Sequence, residues 1–374
     1  MTELYLTLVS TLIAFVLCYK IIPVIIEVAR EKKLFDLPDH RKQHTTPVPP
    51  LGGVAILISL AFAFFLFADL GQSPELKMGF IGVLIIFFMG LKDDLLEMDA
   101  TQKFIIQIAM AALAAYGGIR ITHLHDIFGL ESLSLPAQYI ISTFAIVGLA
   151  NAFNLIDGID GLAGGLSSIC FLGLGLIFSS LGLYTYSLLA FTGLGATLAF
   201  LRYNFSPAKI FMGDAGSLSL GFIIAIMCIK LVQSTAVLSG FVSINSLFVS
   251  FVFSLIIIPV ADVSQVMINR ILHGRSPFDP DRGHIHHILL RLGLNHKQAA
   301  MVLWGNSLFF FSICLGAFFL SFSPGLALGG ILVYAYSAVM ILHWKDRMKK
   351  ATEQTLLDKE QQFANAGFSL QKQV

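Results

Sequence analysis

The sequence predicts an all-α, polytopic membrane protein of about eleven transmembrane helices, with its chemistry-bearing loops on the cytoplasmic face. Three observations predict it. Of 374 residues, 56% are hydrophobic and only 13% charged, with a mean hydropathy of +0.81, far from the roughly 25% charged and 45–50% apolar mix of soluble domains. The apolar residues come in runs long enough to cross about 30 Å of hydrocarbon, which takes about 20 helical residues. Lysines and arginines concentrate between alternate runs, the distribution that short cytoplasmic loops acquire.

The first run, 4–26, lacks a basic start and a small-residue cleavage site, so it reads as a retained span and not as a signal peptide. The next runs cover 50–70, 78–92, 104–119, 136–153, 165–182, 186–201, 217–232, 245–268, 299–320 and 325–344. Those at 78–92, 104–119 and 186–201 are short for a span. Alternation of eleven spans places 20 of the 24 basic residues on one side, including Arg30, Arg41, Arg270, Arg275, Arg291 and Lys345. Lys77 and Arg120 fall on the other side, and Lys20 and Lys230 lie within runs, where they can snorkel to an interface. The amino terminus is therefore expected outside and the tail inside. The chain divides into an integral membrane domain, 1–344, and a polar cytoplasmic tail, 345–374, expected as a solvated helix or disordered. Cys18, Cys170, Cys228 and Cys314 are far apart within apolar runs, which fits packing and neither a metal site nor a disulfide framework. His123, His125 and Asp126 read as a solvated loop on the outer side. A net charge of +1 gives no indication of nucleic acid as a partner; the lipid bilayer is the expected one.

Four cytoplasmic segments carry chemistry. Gly90-Leu91-Lys92-Asp93-Asp94 ends the third run and is followed by Glu97, Asp99 and Lys103. Adjacent carboxylates at a helix exit repel each other unless a cation or a phosphate-bound metal sits between them; a solvated helix end is the plain alternative. The stretch from Asn151 to Gly165 sets Asn154, Asp157 and Asp160 among glycines. If it is helical, those three share about 120° of arc, and the glycines leave backbone open to a phosphate or sugar. Asp214 stands at the cytoplasmic start of the eighth run. There it is either the N-cap of the helix or a ligand to a hard cation such as Mg²⁺, which takes one or two protein oxygens beside water and phosphate.

The fourth segment, Asp281-Arg282-Gly283-His284-Ile285-His286-His287, lies in the longest cytoplasmic loop. No cysteine or carboxylate follows at a zinc-ligand spacing, and protonatable imidazoles beside a guanidinium suit a diphosphate better. Asp262, inside the ninth run, is an expensive intramembrane carboxylate. It lies less than two turns from the cytoplasmic end, where it could orient the following loop, and is assigned no chemistry.

In this order the four segments resemble those of the polyprenyl-phosphate N-acetylhexosamine-1-phosphate transferases, over roughly residues 35 to 297. The stretches His40-Arg41-Lys42 and Pro50-Leu51-Gly52-Gly53 add to the likeness, and the His-Ile-His-His run is similar to the WecA-like branch. The resemblance implies that Asp93 and Asp94 are the paired aspartates of the catalytic centre, with Asp157 and Asp160 as further acidic positions. It implies that Lys103 meets phosphate, that Asn154 and Asp214 hold Mg²⁺ (with Mn²⁺ as a substitute), and that Arg282, His284, His286 and His287 meet the nucleotide-sugar diphosphate. The implied substrates are a UDP-amino-sugar, UDP-N-acetylglucosamine in the WecA-like branch, and undecaprenyl phosphate. The implied setting is the bacterial inner membrane, in O-antigen or other surface-glycan synthesis. UDP-GalNAc and UDP-MurNAc-pentapeptide stay open as donors, as does assembly into a homodimer.

The implied reaction is attack of a polyprenyl phosphate oxygen on the sugar-bearing phosphorus, with release of UMP. One phosphoanhydride replaces another, so catalysis rests on alignment and charge neutralisation. A phosphate with a second pKa of about 6 is mostly dianionic at neutral pH, which favours a positioning role for Asp93 over its family role as base. An ion-coupled transporter is the competing class, but it would place acidic groups near mid-membrane, whereas here nearly all of them sit at one surface. The charge asymmetry makes a topology prediction: in sealed, right-side-out vesicles a cysteine at position 125 reacts with an impermeant thiol reagent and one at 355 does not. The reverse pattern overturns the assignment.

Overall fold

A computed structural model describes residues 2–34, 48–123, 132–234, 242–276, 283–320 and 323–371. Every regular element among them that spans more than a single bridge is a helix. The helices are α1 (Thr2–Lys32), α2 (Gly52–Phe67), α3 (Glu75–Leu95), α4 (Ala100–Tyr116), α5 (Leu135–Ile156), α6 (Leu162–Ser180), α7 (Tyr184–Asn204), α8 (Gly213–Ser234), α9 (Val242–Leu272), α10 (Ile285–Arg291), α11 (His296–Phe319) and α12 (Pro324–Gln371). A helix stands at each of the eleven predicted runs, because in hydrocarbon a backbone must satisfy its own hydrogen bonds.

Eight of them, α1, α5, α6, α7, α8, α9, α11 and α12, are long and apolar enough to cross a bilayer. The other three explain themselves. The 16 residues of α2 and 17 of α4 reach only about 25 Å at ~1.5 Å per residue. Helix α3 has 21 residues, but Glu75, Lys77, Lys92, Asp93 and Asp94 occupy its ends. The run at 186–201 is longer than its apolar signal, since α7 adds Tyr184 and Thr185 before it and Arg202 to Asn204 after it. Helix α12 runs unbroken through the predicted boundary at 344, so the tail begins as a continuation of the last span.

Helix α8 is the centre. It is buried almost continuously from Ala215 to Leu231, and α3, α5 and α2 pack around it. Only 22% of the apolar window of α1 or of α12 is buried by protein, which puts both at the lipid-facing rim. All four cysteines are buried and free. At one end of α8 and α3, Lys230 pairs with Glu75 at 2.6 Å and Tyr186 donates to the same carboxylate at 2.9 Å. Lys230 therefore has a partner at the helix end rather than snorkelling alone.

At the opposite end the backbones touch. A Cβ on Gly90 of α3 would lie 2.5 Å from the amide nitrogen of Ala215, and one on Gly53 of α2 would lie 2.2 Å from that of Gly216. No side chain fits at either place. The amides of Gly52 and Gly53, unpaired at a helix start, donate to Phe211 and Met212 carbonyls at 2.8 Å each. The starts of α2 and α8 are thus stitched together. Substitution of Gly90 by alanine must separate α3 from α8, and overpacking of this kind typically costs about 1–3 kcal/mol. We expect Gly90→Ala to lower the unfolding temperature in detergent and reduce activity. Gly305→Ala, where a Cβ meets nothing within 4 Å, serves as the matched control and should leave both unchanged or slightly raised.

Candidate functional site

The site lies where the ends of α3, α4, α5 and α8 meet. The Asp94 carboxylate accepts from the N–H of Asp214 at 2.7 Å and of Ala215 at 3.0 Å. Two orphan amides at the start of α8 are capped by a carboxylate from another helix, which also suits the positive end of the helix dipole. Asp214 is therefore not its own helix's N-cap. It sits in the first turn of α8, entered through Gly213 at φ +72°, and its side chain is left for other partners.

Those partners come from three helices. Asn154 of α5 donates through Nδ2 to Asp214 Oδ1 at 2.8 Å and to Ser217 Oγ at 2.9 Å. Lys103, in the first turn of α4, forms an ion pair with Asp93 and lies 3.4 Å from Asp214 Oδ2. Asp93 also accepts from the N–H of Met98 at 2.8 Å, and the Lys103 ammonium bridges it to Asp214. Asp99 caps α4 by accepting from Thr101 and Gln102 at 2.9 and 3.3 Å, which fixes where Lys103 emerges. One turn deeper, Asn151 donates to Gln107 and locks α4 to α5 beneath Lys103 and Asn154, as amides do across helices in lipid. Asn151 lies in a segment already singled out, whereas Gln107 went unnoticed; an amide inside an apolar helix is the signal that marks it.

Asp157 and Asp160 do not share a helical face with Asn154. Helix α5 ends at Ile156, and a turn through Gly161, at φ +78°, opens α6. Asp157 stands at the end of α5. Burial pushes its carboxyl well above the usual range, and the Asp214, Asp94 and Asp160 carboxylates push it further. Asp160 turns to other business: it is buried, accepts from the Ala208 N–H at 3.1 Å and lies 3.4 Å from His296 Nδ1. Asn204 accepts from the Gly161 N–H and donates to the Ile210 carbonyl, both at 2.9 Å, holding this turn against the segment that leads into α8. No sequence signal marked Asn204 or His296. A cavity of about 530 Å³ opens beside Asp160, with Ser206, Arg291, Asn295 and His296 in its walls.

The predicted loop 269–298 contains a helix, α10, whose first turn carries the histidines. His284 is its N-cap residue, yet makes no capping bond of its own. His286 is buried and lies against Gly158 of the acidic turn. Burial holds its imidazole well below the usual range, with His287, His284, His296 and Arg291 acting in the same direction. Burial thus disfavours a positive charge on His286. His287 is half-buried beside it, with ring centroids 4.2 Å apart. Arg282 and Asp281 lie outside the described residues, as do His125 and Asp126; His123 is buried. Arg291 forms a bidentate pair with Asp346 of α12 at 2.8 and 3.0 Å, so the helix that carries the histidines is clamped to the last span.

The family model described as glycosyl transferase family 4 matches residues 76–232, the stretch that supplies Asp93, Asp94, Lys103, Asn154 and Asp214. A probable undecaprenyl-phosphate N-acetylglucosaminyl 1-phosphate transferase of Bacillus subtilis is 35% identical over 287 residues, covering 76% of this chain and 77% of the relative. The undecaprenyl-phosphate alpha-N-acetylglucosaminyl 1-phosphate transferases of Escherichia coli K12 and Yersinia pestis are 31% and 29% identical, the first over 74% of each chain and the second over 87% of this chain and 92% of its own.

The capping by Asp94 separates structure from chemistry by mutation. Asp94→Ala leaves two buried amides without a partner and should cost about 1–2 kcal/mol of stability. Asp94→Asn keeps one acceptor and should lose less. Thermal unfolding in detergent gives the order wild type, Asn, Ala; equal stability of all three would show that the cap is not formed.

Proposed function

The chain belongs to glycosyl transferase family 4, and on that premise we propose that it transfers N-acetylglucosamine 1-phosphate from UDP-N-acetylglucosamine to undecaprenyl phosphate, with Mg²⁺, at the cytoplasmic face of a bacterial inner membrane. It is a membrane-embedded transferase; the donor, metal, sidedness and service to O-antigen or related surface glycans belong to the proposal. One observation carries the metal and the diphosphate together. Three carboxylates, Asp93, Asp94 and Asp214, converge at one end of apolar helices, and among the described residues the ammonium that reaches them is that of Lys103. Such a cluster repels a nucleotide diphosphate and a lipid phosphate unless further positive charge joins them.

The donor set fits Mg²⁺. Asp93 and Asp214 face each other, and Asn154, whose amide nitrogen is spent on Asp214, keeps Oδ1 for a cation. Among the described residues no three His, Cys, Asp or Glu side chains are disposed as a metal cluster. Mg²⁺ asks for less than that, one or two protein oxygens with phosphates and water completing the set. When bound it supplies charge neutralisation for the diphosphate.

The chain's own groups do the rest. Lys103, held between Asp93 and Asp214, is placed to pass from the carboxylates to an arriving phosphate oxygen. Asp93 then orients the acceptor phosphate, whose oxygen is already a competent nucleophile at neutral pH; the alternative of Asp93 as base stays open. The cavity beside Asp160, about 530 Å³, falls in the size range of ligand pockets and offers room for the nucleoside part. His284 and His287, with Arg282 from the adjoining segment, complete the diphosphate side. The bond formed is from acceptor oxygen to the sugar-bearing phosphorus, and the bond broken releases UMP.

Detergent-solubilised protein should release UMP from UDP-N-acetylglucosamine only with undecaprenyl phosphate and Mg²⁺ present. Asp214→Asn should lower turnover at least a hundredfold, the scale of losing one charge-stabilising group, and should blunt the Mg²⁺ dependence. Near-normal turnover in that variant rules out metal ligation by Asp214. Release from another UDP-sugar alone reassigns the donor.

A further inference from the structure

Asp262 lies in the membrane-embedded part of α9 and is completely buried. It carries none of the roles given above. A buried intramembrane carboxylate is costly enough to require a use. Both of its oxygens point at the start of α10: Oδ1 accepts from the N–H of Ile285 at 2.7 Å, and Oδ2 lies 3.1 Å from His284 Nδ1. Ile285 is the first residue of α10, so Asp262 supplies the cap that His284 does not. A carboxylate with both oxygens committed as acceptors leaves His284 Nδ1 as the proton donor. The His284 ring lies parallel to that of His286, with centroids 5.8 Å apart and 10° between planes, and His286 rests on Gly158 next to Asp157. One side chain within the bilayer thus sets the ring that begins the histidine run.

We propose that Asp262 is a positioning residue for the transfer reaction: through its bonds to His284 Nδ1 and the Ile285 amide it fixes the tautomer and orientation of His284, so that Nε2 is the nitrogen presented to the nucleotide-sugar. This rests on the reading of the histidine run as the UDP-sugar side of the site. A carboxylate behind an imidazole fixes which nitrogen bonds outward, as second partners do for ligating and catalytic histidines. Asp262 touches no substrate and acts only through His284.

The test has a part without substrate and a part with it. In ligand-free protein labelled with ¹⁵N-histidine, the His284 signal, identified by its loss in His284→Gln, should report a proton on Nδ1. Asp262→Asn can keep the Ile285 bond through its oxygen while its amide donates to the ring, so the His284 proton should move to Nε2. In turnover, Asp262→Asn should reduce kcat/KM for the UDP-sugar by roughly tenfold to a hundredfold, the usual range for a residue supporting a liganding histidine, with the KM for polyprenyl phosphate unchanged. In the His284→Gln background the same change should have little further effect. An Nε2-protonated His284 in the wild-type protein overturns the proposal even if the variant does not accumulate. Additive losses from the two substitutions, or a loss confined to the polyprenyl phosphate KM, overturn it as well. If the wild type releases UMP from no UDP-sugar, the functional reading fails, whereas the tautomer result stands by itself.

Discussion

The bond pair from Asp94 to the amides of Asp214 and Ala215 is the contact on which the rest of the site depends. It closes the amino end of the central helix with a charge that belongs to a different helix, and it does so only because Gly90, four residues earlier on α3, lets the two backbones meet. Once α8 is capped from outside, Asp214 is released from the capping role that its own sequence position suggests. The same junction receives α2 through the Gly53–Gly216 contact and the bonds to Phe211 and Met212. Three helix ends are therefore fixed to one another by backbone geometry before any functional side chain is considered.

Electrostatics then determines what this junction can bind. Buried like charges are tolerated when each is hydrogen-bonded or neutralised. Asp94 has two amides, Asp93 has Lys103 and the Met98 amide, and Asp214 has Asn154 and a share of Lys103. Burial still pushes Asp94 up to about 7 and Asp157, at the end of α5, well above the usual carboxylate range. The cluster is stable but electron-rich. It is matched to a cation, and through the cation to phosphates, in a way that an isolated acidic surface patch would not be. Asp93, Asp94 and Asp214 gather at one end of the bundle, whereas an ion-coupled transporter places its acidic sites near mid-membrane.

What was legible in the sequence follows from the strength of each constraint. The spans were legible because hydrocarbon leaves a backbone no alternative to helix, and the runs that looked short are those whose helices borrow polar residues at their ends, as α7 does with Arg202 and Asn204. The positions of Asp93, Asp94, Lys103, Asn154 and Asp214 at one bundle end were legible from loop sidedness. Their bonding was not, since the partner of a carboxylate 120 residues away cannot be read from local pattern: Asp94 and Asp214 exchanged the roles that proximity to a helix start suggested. Asn154, Asp157 and Asp160 were expected on one helical face, but the glycines between them end α5 and begin a turn, which sends Asp160 to Ala208 and His296. Helix α10 was hidden because seven residues are too few to show a period and because its cap, Asp262, comes from another helix.

The clamp between Arg291 and Asp346 extends the same logic to the far end of the chain. The carboxyl end of α10 is tied to the last span, and its amino end is tied by Asp262 to α9. A short helix has little stability of its own, because its nucleus costs more than its few hydrogen bonds return. Here its orientation is imposed from both ends by carboxylates on membrane helices that are themselves set by lipid. The histidines on its first turn inherit that rigidity. The acidic cluster and the imidazole run are thus held by separate parts of the bundle, the first by α3, α4, α5 and α8, the second by α9 and α12. They meet at the turn between α5 and α6, where His286 packs on Gly158.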